Sequence, residues 1–463
     1  MNLALEFNLG TLTLSGKENF SLPDSIKGLL RFDTRTNNWR AKACDYAKIV
    51  LSLRENNIAF NDLAREYKVL DINIKEELIP RAHQVEALTA WKNNNFRGIA
   101  ALPTGSGKTI LAVMAIAQVK RSAIILAPTI DLVIQWVNTL ERFLGVHVGM
   151  LGGGSHDIQD ITVSTYDSAI INMEYIGSRF GLLIADECHH LPGPSNRLSA
   201  EMSIAPFRLG LSATPEMPDD RANVMESLLG NIIIQIHIDQ LEGKVLSPYV
   251  VLTENIFLDK DEQLEYDYNR NIYLSFVRQN GISFRSPSGW GQFVASSMRT
   301  PAGRAAFNAF LVQRRIARGG KAKFRRLWEL LKLHSNERII IFTADNDTAY
   351  NIGRQFYLPV LTCRTKANER AEYLNNFRNG TYKVLVTNRV LNEGVDVPEA
   401  AVGIVLSGTG SVREHVQRLG RILRPSADKK QAILYELVSA GTGEEFVNSR
   451  RREHRAYDGH LKI

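Results

Sequence analysis

The stretch "GIAALPTGSGKTILAVMAIA", residues 98–117, is the part of the sequence that most directly indicates the fold. An apolar strand pattern runs into Pro103, a loop with two glycines follows, and an apolar helix pattern begins at Lys108. Strand, glycine-rich loop and helix in this order are typical of phosphate-binding loops, in which backbone N–H groups at a helix N-terminus face phosphates. The first glycine of the G-x-x-x-x-G-K-[ST] template is absent, because Leu102 stands at its position, whereas Gly107, Lys108 and Thr109 match the rest of the template. The stretch therefore predicts a nucleotide site.

Each residue type in this loop has an expected role. Lys108 would meet the β and γ phosphates, and the Thr109 hydroxyl would bind Mg²⁺. Upstream, in "IPRAHQVEAL", the amide of Gln84 is placed to read an adenine edge, and Arg81 is expected to bind the nucleotide too. The other residues that we expect to surround the phosphates are Thr104, Gly105, Ser106 and Gly107.

A pair of carboxylates follows a second apolar strand in "LLIADECHH", residues 182–190. Side chains at the carboxyl ends of parallel strands lie where open α/β sheets bind ligands. Phosphoryl transfer to water needs a carboxylate that holds the metal and a group that positions the water, so we assign these roles to Asp186 and Glu187. His189 is expected to form a coupling hydrogen bond. Zinc binding is disfavoured, because two adjacent histidines in a regular element cannot both face one ion.

Three further segments narrow the class of enzyme. "SAT", with Ser212 and Thr214, follows another strand and is placed to couple the state of the site to domain movement. "VTNRVLNEGVDVP", residues 386–398, lies far along the chain. So does "QRLGRILRP", residues 417–425, in which arginines repeat every three residues on one helix face. Arginines that reach the γ-phosphate from a second domain are arginine fingers, and this role is predicted for Arg421 and Arg424.

The alternation of strands and helices predicts an α/β fold with two parallel sheets. The expected strands are "RGIAALP", "SAIILAP", "DITVST", "GLLIADE" and "FRLGLSAT" in the first half and "RIIIFTA", "YKVLVTN", "AVGIVLS" and "QAILYEL" in the second. Between the halves the pattern loses its strands from about residue 253 and becomes helical and basic. We expect four parts: a small α+β domain at 1–75, a first parallel-sheet domain at 76–250, a helical region at 251–325, and a second parallel-sheet domain at 326–463.

Charge favours a polyanionic partner. The chain of 463 residues has a formal net charge of +7, and its 299–328 segment carries nine basic residues and no acid. A solvated helix face is the simpler interpretation, but such faces usually mix signs, so we favour contact with nucleic acid. Trp290 and Phe293 precede the segment and are expected to be buried rather than stacked on bases. The nine basic residues are Arg299, Arg304, Arg314, Arg315, Arg318, Lys321, Lys323, Arg325 and Arg326.

Composition excludes several classes of protein. The chain is 44% hydrophobic and 23% charged, as ordinary globular proteins are, and no apolar run reaches the roughly 18 residues of a membrane span. The first residues alternate like a strand and lack the pattern of a secretory signal. Three scattered cysteines favour a reduced compartment over a disulfide framework or a zinc cluster. We expect a cytoplasmic, nucleoid-associated protein without a membrane partner and without a tightly bound metal other than Mg²⁺.

Taken in order, these motifs resemble superfamily 2 helicases with a D-E-x-H box, and more closely the archaeal XPB helicases. The resemblance covers essentially the whole chain, and its motifs are specific as an ordered set. The phrases that carry it are "RFDTRTNNWRA" (31–41), "LPTGSGKT" (102–109), "ITVSTYDSA" (161–169), "DECHHLP" (186–192), "APFRLGLSAT" (205–214), "NEGVDVP" (392–398) and "VQRLGRILRPS" (416–426).

The resemblance implies two RecA-like motor domains that bind ATP and Mg²⁺ between them, with DNA lying across both. It further implies a damage-recognition domain at the N-terminus, a helical thumb after the first motor domain, 3'-5' polarity in nucleotide excision repair, and a nuclease partner. Asp396 would contact the nucleotide, and Gln417 would couple its state to movement. The residues expected to contact DNA are Thr129, Thr165, Thr387, Arg314, Arg315 and Arg318.

In one place the sequence departs from the family pattern. An Arg-Glu-Asp triplet associated with DNA opening is replaced by Met217, Pro218 and Asp219 in "SATPEMPDD". We therefore expect a DNA-stimulated ATPase that unwinds long duplexes poorly by itself. Two rival hypotheses remain: an RNA-directed motor, and a nucleotide-gated clamp or scaffold for a nuclease. The complete hydrolytic set formed by Lys108, Asp186, Glu187 and Arg421 argues against the clamp.

Overall fold

A computed structural model describes residues 3–16, 22–214, 220–241, 247–284, 286, 288–388, 400–407, 431–445 and 461–462. Within these ranges the chain forms two compact units, the first ending at residue 240 and the second beginning at residue 241. The first unit holds two sheets and the second holds one. Within the described ranges, no helix is long and apolar enough to cross a membrane.

The N-terminal part of the first unit is a small sheet packed against a helix. Its strands lie in the order β3-β4-β2-β1-β5, antiparallel except where β5 runs parallel to β1. Alternating residues such as Leu5, Leu12 and Leu14 are buried against Ile49 and Leu53 of α2. The elements are β1 Leu3–Asn8, β2 Thr11–Ser15, α1 Asp24–Lys27, β3 Arg31–Asp33, β4 Asn38–Lys42, α2 Tyr46–Glu55 and β5 Phe60–Asp62.

The remainder of the first unit is an eight-stranded sheet, parallel except at its last strand. Five central strands are almost entirely buried because both faces of the sheet are covered by helices. The order is β13-β6-β12-β11-β7-β10-β8-β9. The strands are β6 Arg97–Ala101, β7 Ala123–Ala127, β8 Gly149–Gly152, β9 Ser155–His156, β10 Ile161–Thr165, β11 Leu182–Asp186, β12 Phe207–Ser212 and β13 Ile232–Gln235.

Local capping explains where the helices of this sheet begin and end. The Thr129 hydroxyl accepts a hydrogen bond from the Leu132 N–H at the start of α5, and Gly145, with a φ of 61°, ends that helix. The Thr165 hydroxyl accepts from Ser168 in the same way at the start of α6. The helices are α3 Ala82–Asn93, α4 Lys108–Val119, α5 Ile130–Leu144, α6 Tyr166–Ile176, α7 Leu198–Glu201, α8 Arg221–Leu229 and α9 Ile238–Leu241.

The second unit contains a seven-stranded parallel sheet in the order β16-β17-β15-β18-β19-β14-β20. The sequence pattern predicts four of these seven strands and misses β14, β16 and β20. Strand β14 continues to residue 256, past the point at which strands were expected to end. Its second half carries Thr253, Glu254 and Asn255, which hide the strand pattern. The strands are β14 Tyr249–Ile256, β15 Ile339–Phe342, β16 Val360–Leu361, β17 Val384–Thr387, β18 Val402–Val405, β19 Ala432–Ser439 and β20 Leu461–Lys462.

A helical insertion, called the thumb below, separates β14 from β15. Its α12 begins at Pro301, and the Thr300 hydroxyl caps it by accepting from the Gly303 N–H. Phe293 of α11 packs among aromatic residues of α10 and α12 and gives the thumb a core of its own. The helices of the second unit are α10 Lys260–Gln279, α11 Gly289–Arg299, α12 Pro301–Gly319, α13 Lys321–Leu333, α14 Asn346–Phe356 and α15 Ala367–Arg378.

The predicted fold class is confirmed: a small N-terminal α+β domain, two parallel-sheet α/β domains and a helical insertion. All nine expected strands are present. The domain limits at residues 75, 250 and 325 stay predictions.

Candidate active site

The glycine-rich loop lies between β6 and α4 at the carboxyl edge of the first unit's parallel sheet. Gly105 and Gly107 have φ angles of 84° and 88°, a conformation that residues with a Cβ rarely adopt. A Cβ on Gly107 would lie only 2.3 Å from the Gln84 amide nitrogen. Position 107 therefore requires glycine. Its positive φ angle lets the loop turn its backbone N–H groups inward.

Two residues of α3 hold this loop in place through hydrogen bonds. The Gln84 Nε2 donates to the carbonyl oxygens of Ser106 and Gly107, both at 3.2 Å, and its Oε1 accepts from the Arg81 N–H at 2.9 Å. The His83 Nε2 lies 2.8 Å from the Ser106 carbonyl oxygen. In this structure the Gln84 amide holds the loop, and its reading of adenine stays a prediction. His83 was not foreseen, although it directly precedes Gln84 in the sequence.

The loop lysine reaches the pair of carboxylates across the sheet. The Lys108 Nζ donates to Glu187 Oε1 at 3.2 Å, and both side chains are largely buried. Glu187 stands in the left-handed region with a φ of 43°, at the turn that follows β11. Backbone strain of this kind in a residue other than glycine is concentrated at functional sites. The structure thus brings together two groups that lie 79 residues apart in sequence.

Asp186 ends β11 and is held by groups that the sequence analysis did not identify. Its Oδ2 accepts from the Trp136 indole N–H at 2.9 Å, and its backbone oxygen accepts from the Tyr166 hydroxyl at 2.9 Å. Burial, followed by the neighbouring Glu187 charge, raises the pKa of Asp186 to about 6. Trp136 lies 50 residues before Asp186, so no spacing rule would have indicated it. A divalent cation bound at this carboxylate would favour its ionised form.

A chain of polar contacts joins this carboxylate pair to the "SAT" segment. The His189 Nδ1 lies 3.2 Å from the Ser212 Oγ and 3.4 Å from Glu187 Oε2. The Ser212 Oγ in turn accepts from the Thr214 N–H at 3.2 Å. These are the contacts that the predicted coupling role of His189, Ser212 and Thr214 requires. Cys188 is fully buried beside them, and burial raises the pKa of its thiol, so it is not a ready metal ligand.

The residues present fit a nucleoside triphosphate with Mg²⁺. Thr104, in the loop, has a buried hydroxyl oxygen without a hydrogen-bond partner, which a ligand at the loop could satisfy. The first N–H groups of α4 have no acceptor within the helix, and Thr109 follows Lys108 in its first turn. Hard oxygen donors such as the Asp186 carboxylate suit Mg²⁺. Within the described ranges, no group of three or more His, Cys, Asp or Glu residues could hold another metal ion.

The threonines predicted to contact DNA end parallel strands. Thr129 and Thr165 cap α5 and α6 in the first unit. The Thr165 hydroxyl also donates to the Ser168 Oγ at 2.9 Å. Thr387 ends β17 in the second unit and is fully buried. Their roles toward DNA stay predictions.

The basic residues of the 299–328 segment differ in their exposure and in their ion pairs with acidic residues. Arg314 and Arg315 are exposed on α12, whereas Arg318 pairs with Asp345 at 3.1 Å. Lys323 is fully buried and pairs with Glu444 at 2.5 Å. Arg325 and Arg326 also pair with acids, namely Asp259 and Glu254. The charge that can face nucleic acid is therefore smaller than the sequence count implies.

The two thumb aromatics differ in exposure. Phe293 is 0% exposed, as expected for a core residue. The expected burial of Trp290 is wrong, because its side chain remains 47% exposed and only its contact with the Phe293 ring, at 5.6 Å between centroids, ties it to the core.

Several predicted site residues lie outside the described part of the chain. They are Asp396, Gln417, Arg421 and Arg424 of the second half and Met217, Pro218 and Asp219 after the "SAT" segment.

Three family models match the chain. Residues 5–64 match the Xeroderma pigmentosum group B helicase damage recognition domain, residues 77–217 match the type III restriction enzyme res subunit, and residues 313–460 match the ERCC3/RAD25/XPB C-terminal helicase. Together they cover most of the N-terminal sheet, most of the sheet with the candidate site, and the end of the thumb with most strands of the second unit's sheet.

Among full-length relatives, the DNA 3'-5' translocase XPB2 of Sulfurisphaera tokodaii is 38% identical over 436 residues, which span 92% of this chain and 99% of the relative. The DNA 3'-5' helicase XPB of Mycobacterium tuberculosis is 28% identical over 78% of this chain and 61% of its own length.

Solved helicase structures share the fold. The helicase domain of Pyrococcus furiosus Hef superposes with a TM-score of 0.55 at 18% identity, over 81% of this chain and 98% of that one. Saccharomyces cerevisiae Dbp5 bound to RNA and ADP BeF3 gives a TM-score of 0.57 at 16% identity, over 83% and 88% of the two chains. At such identities the likeness concerns the fold of the two parallel-sheet domains alone.

Proposed function

This chain belongs to the XPB family of helicases, and from that premise we propose that it is an ATP-dependent DNA translocase or helicase that remodels or unwinds DNA in nucleotide excision repair. Relatives named as 3'-5' motors support 3'-5' polarity. The matched damage-recognition domain supports the repair assignment. The observation that best supports the proposal is the 3.2 Å contact between Lys108 and Glu187, because it joins the loop proposed to bind phosphates to a carboxylate proposed to act in hydrolysis.

In the proposed mechanism, the N–H groups of the loop and the start of α4 surround the phosphates of ATP. Lys108 turns from Glu187 to the β and γ phosphates as the nucleotide enters. This exchange leaves the Glu187 carboxylate available to position and deprotonate the attacking water. Thr109 and Asp186 hold Mg²⁺. When bound there, Mg²⁺ would supply positive charge that offsets the charge developing on the phosphates.

In our proposal, hydrolysis is coupled to movement through the contacts that connect Glu187, His189 and Ser212. A change at the γ-phosphate alters the Glu187 contacts, and these reach the "SAT" segment through His189. In our proposal, Asp396, Gln417, Arg421 and Arg424 of the second half complete the site on domain closure, with the two last arginines as fingers.

DNA is bound mainly through its phosphates. Thr129, Thr165 and Thr387 contact the backbone of the tracked strand, and the thumb arginines Arg314 and Arg315 add charge. Contacts of this kind position DNA but carry no base information, so binding should be largely independent of sequence. A nuclease that cuts the remodelled DNA stays a predicted partner, and a cytoplasmic, nucleoid-associated location follows from DNA as the substrate.

The proposal is tested by measuring steady-state ATP hydrolysis with single-stranded DNA, duplex DNA, forked DNA and RNA as activators. We expect DNA to stimulate turnover, with RNA less effective at equal nucleotide concentration. Stronger activation by RNA would favour the RNA-directed motor. Tight DNA binding without turnover under every condition would favour the clamp, and either result would overturn the proposal.

A further inference from the structure

The thumb contains a cavity of about 260 Å³ between α10, α12 and the turn that follows β19. It lies entirely within the second unit. This cavity volume is slightly smaller than that of typical small-molecule pockets, so the cavity has room for a single ring system. Of its lining residues, Arg314 and Arg318 are also predicted phosphate contacts, whereas the aromatic rings, Gln313 and Glu444 have no role in the function proposed above.

Aromatic rings form its walls. Tyr273 and Phe310 lie 5.3 Å apart between centroids, and Tyr266 is almost completely buried on the side of α10. Two arginines lie over these rings: Arg270 is 5.7 Å from the Tyr266 centroid, and Arg314 is 5.6 Å from that of Phe310. A planar ligand that carries negative charge would match both features.

Two acceptor atoms in the lining have no hydrogen-bond partner. They are Oε1 of Gln313, on α12, and Oε1 of Glu444, in the turn after β19, and both atoms are buried. The other oxygen of Glu444 is engaged, because it accepts from the Lys323 Nζ and from the Ser439 N–H. Buried acceptors without partners are rare and destabilising. A ligand that donates hydrogen bonds would satisfy them.

From these contacts we infer that the thumb cavity binds a single unpaired nucleobase of the DNA. The base stacks on the Tyr273 and Phe310 rings, its exocyclic amine donates to Gln313 and Glu444, and the adjoining phosphate lies near Arg270 and Arg314. Enzymes that read extruded bases use the same combination of aromatic stacking and hydrogen bonds to the base edge. The inference rests on the proposed function, since DNA must be the polymer that reaches the thumb.

The chemistry of the acceptors predicts which bases fit best. Adenine and cytosine present amino groups that donate to Gln313 and Glu444, whereas thymine presents carbonyl oxygens where those amines would lie. An abasic position loses both the stacking and the hydrogen bonds. Affinity should therefore fall in the order adenine or cytosine, then thymine, then abasic.

The test uses the full chain and three otherwise identical duplexes that carry one extra adenine, thymine or abasic position at the centre, with affinity measured by fluorescence anisotropy. We expect about tenfold tighter binding to the unpaired adenine than to the abasic position, the scale of one stacked base. Tyr273→Leu should remove that difference. Gln313→Leu should remove the difference between adenine and thymine, and its melting temperature should stay equal or rise because an unsatisfied polar atom is lost.

Gln279→Leu, at an exposed glutamine of α10, is the matched control and should retain all three affinities in the wild-type order. Equal affinities for the three duplexes, or an adenine preference that survives both Tyr273→Leu and Gln313→Leu, would overturn the inference. Both variants should keep ATP hydrolysis stimulated by continuous duplex DNA. A wild-type chain that no DNA stimulates would instead contradict the proposed function, so the two failures are distinguishable.

Discussion

The two parallel sheets share an architecture but differ in the chemistry at their carboxyl edges. In the first unit this edge carries charge, since Lys108 follows β6 and Asp186 ends β11 next to Glu187. In the second unit the strands end in Thr387 and Ser439. These two side chains are neutral hydrogen-bonding groups.

The polar groups of the second edge are engaged with each other. The Thr343 hydroxyl donates to the Asp345 carbonyl oxygen at 3.0 Å, and the Ser407 Oγ accepts from the Ala344 N–H at 3.0 Å. Asp345 itself caps α14 and pairs with Arg318. Among the described residues, the same fold thus carries the candidate hydrolytic groups at one edge and groups paired with each other at the other edge, so function must be assigned from residues rather than from fold.

The largest difference between the two edges is expected at Glu187, the proposed general base of the first unit. Glu187→Gln keeps the length of the side chain but removes its charge, and turnover should fall by as much as about 10⁴-fold because proton abstraction from water is lost. ATP binding should persist, so the variant should accumulate on DNA in its ATP-bound form. Single-turnover hydrolysis and fluorescent-nucleotide binding measure the two effects. An unchanged turnover rate would remove Glu187 from this role.

The second unit contributes catalytic charge only through the proposed arginine fingers. Arg421→Ala and Arg424→Ala should each lower turnover by about 10³-fold, the lower end for arginine fingers, with near-normal ATP affinity. Arg378→Ala, at an exposed arginine of α15, is the control and should hydrolyse ATP normally. Normal ATP turnover in both finger variants would show that hydrolysis needs only the charged edge of the first unit and neither arginine.

The thumb should contribute charge to DNA binding but none to hydrolysis. Replacing Arg314, Arg315 and Arg318 with Ala should flatten the slope of log affinity against log salt by about two to three units, since counterion release scales with phosphate contacts. The smaller value applies if Arg318 stays paired with Asp345.

A charge-neutral control is available in the same region. Arg325→Gln combined with Asp259→Asn removes a bidentate ion pair without changing the net charge, so the slope should stay at its wild-type value. A wild-type slope in the triple variant would make the basic run a solvated helix face.

The smallest effect is expected at the segment that departs from the family pattern. The chain alone should unwind a forked duplex of about two turns poorly, because opening costs about 1.4 kcal/mol of stacking per step. Met217→Arg with Pro218→Glu should raise unwinding several-fold while leaving ATP turnover unchanged. Efficient unwinding by the unmodified chain, or no gain in a folded and ATPase-active double variant, would contradict this expectation.

Sequence patterns predicted the sheets and the loop because the information there is local. The central strands of the first sheet are buried on both faces, so they read as apolar runs, and the glycine loop is one contiguous motif. The strand β14 was missed because polar residues fill its second half.

Contacts between distant residues could not be predicted in this way. The Trp136 bond to Asp186 joins residues 50 apart, and the Lys323 bond to Glu444 joins residues 121 apart. Arg208 is fully buried, and its guanidinium donates to the carbonyl oxygens of Ala200, Ser203, Ala205 and Leu228. The sequence shows only an arginine near the start of a strand. Such pairings depend on tertiary packing, which no periodicity encodes.

The central claim is that hydrolysis depends on the charged edge of the first unit, and the most direct test is DNA-stimulated ATP turnover in Lys108→Ala. Removing this cation should lower turnover by at least about 10²–10³-fold, as expected for the loss of one preorganised group that stabilises transition-state charge. Lys92→Ala, at an exposed lysine of α3 in the same unit, should match the wild type. Wild-type turnover in a folded Lys108→Ala chain would contradict the claim.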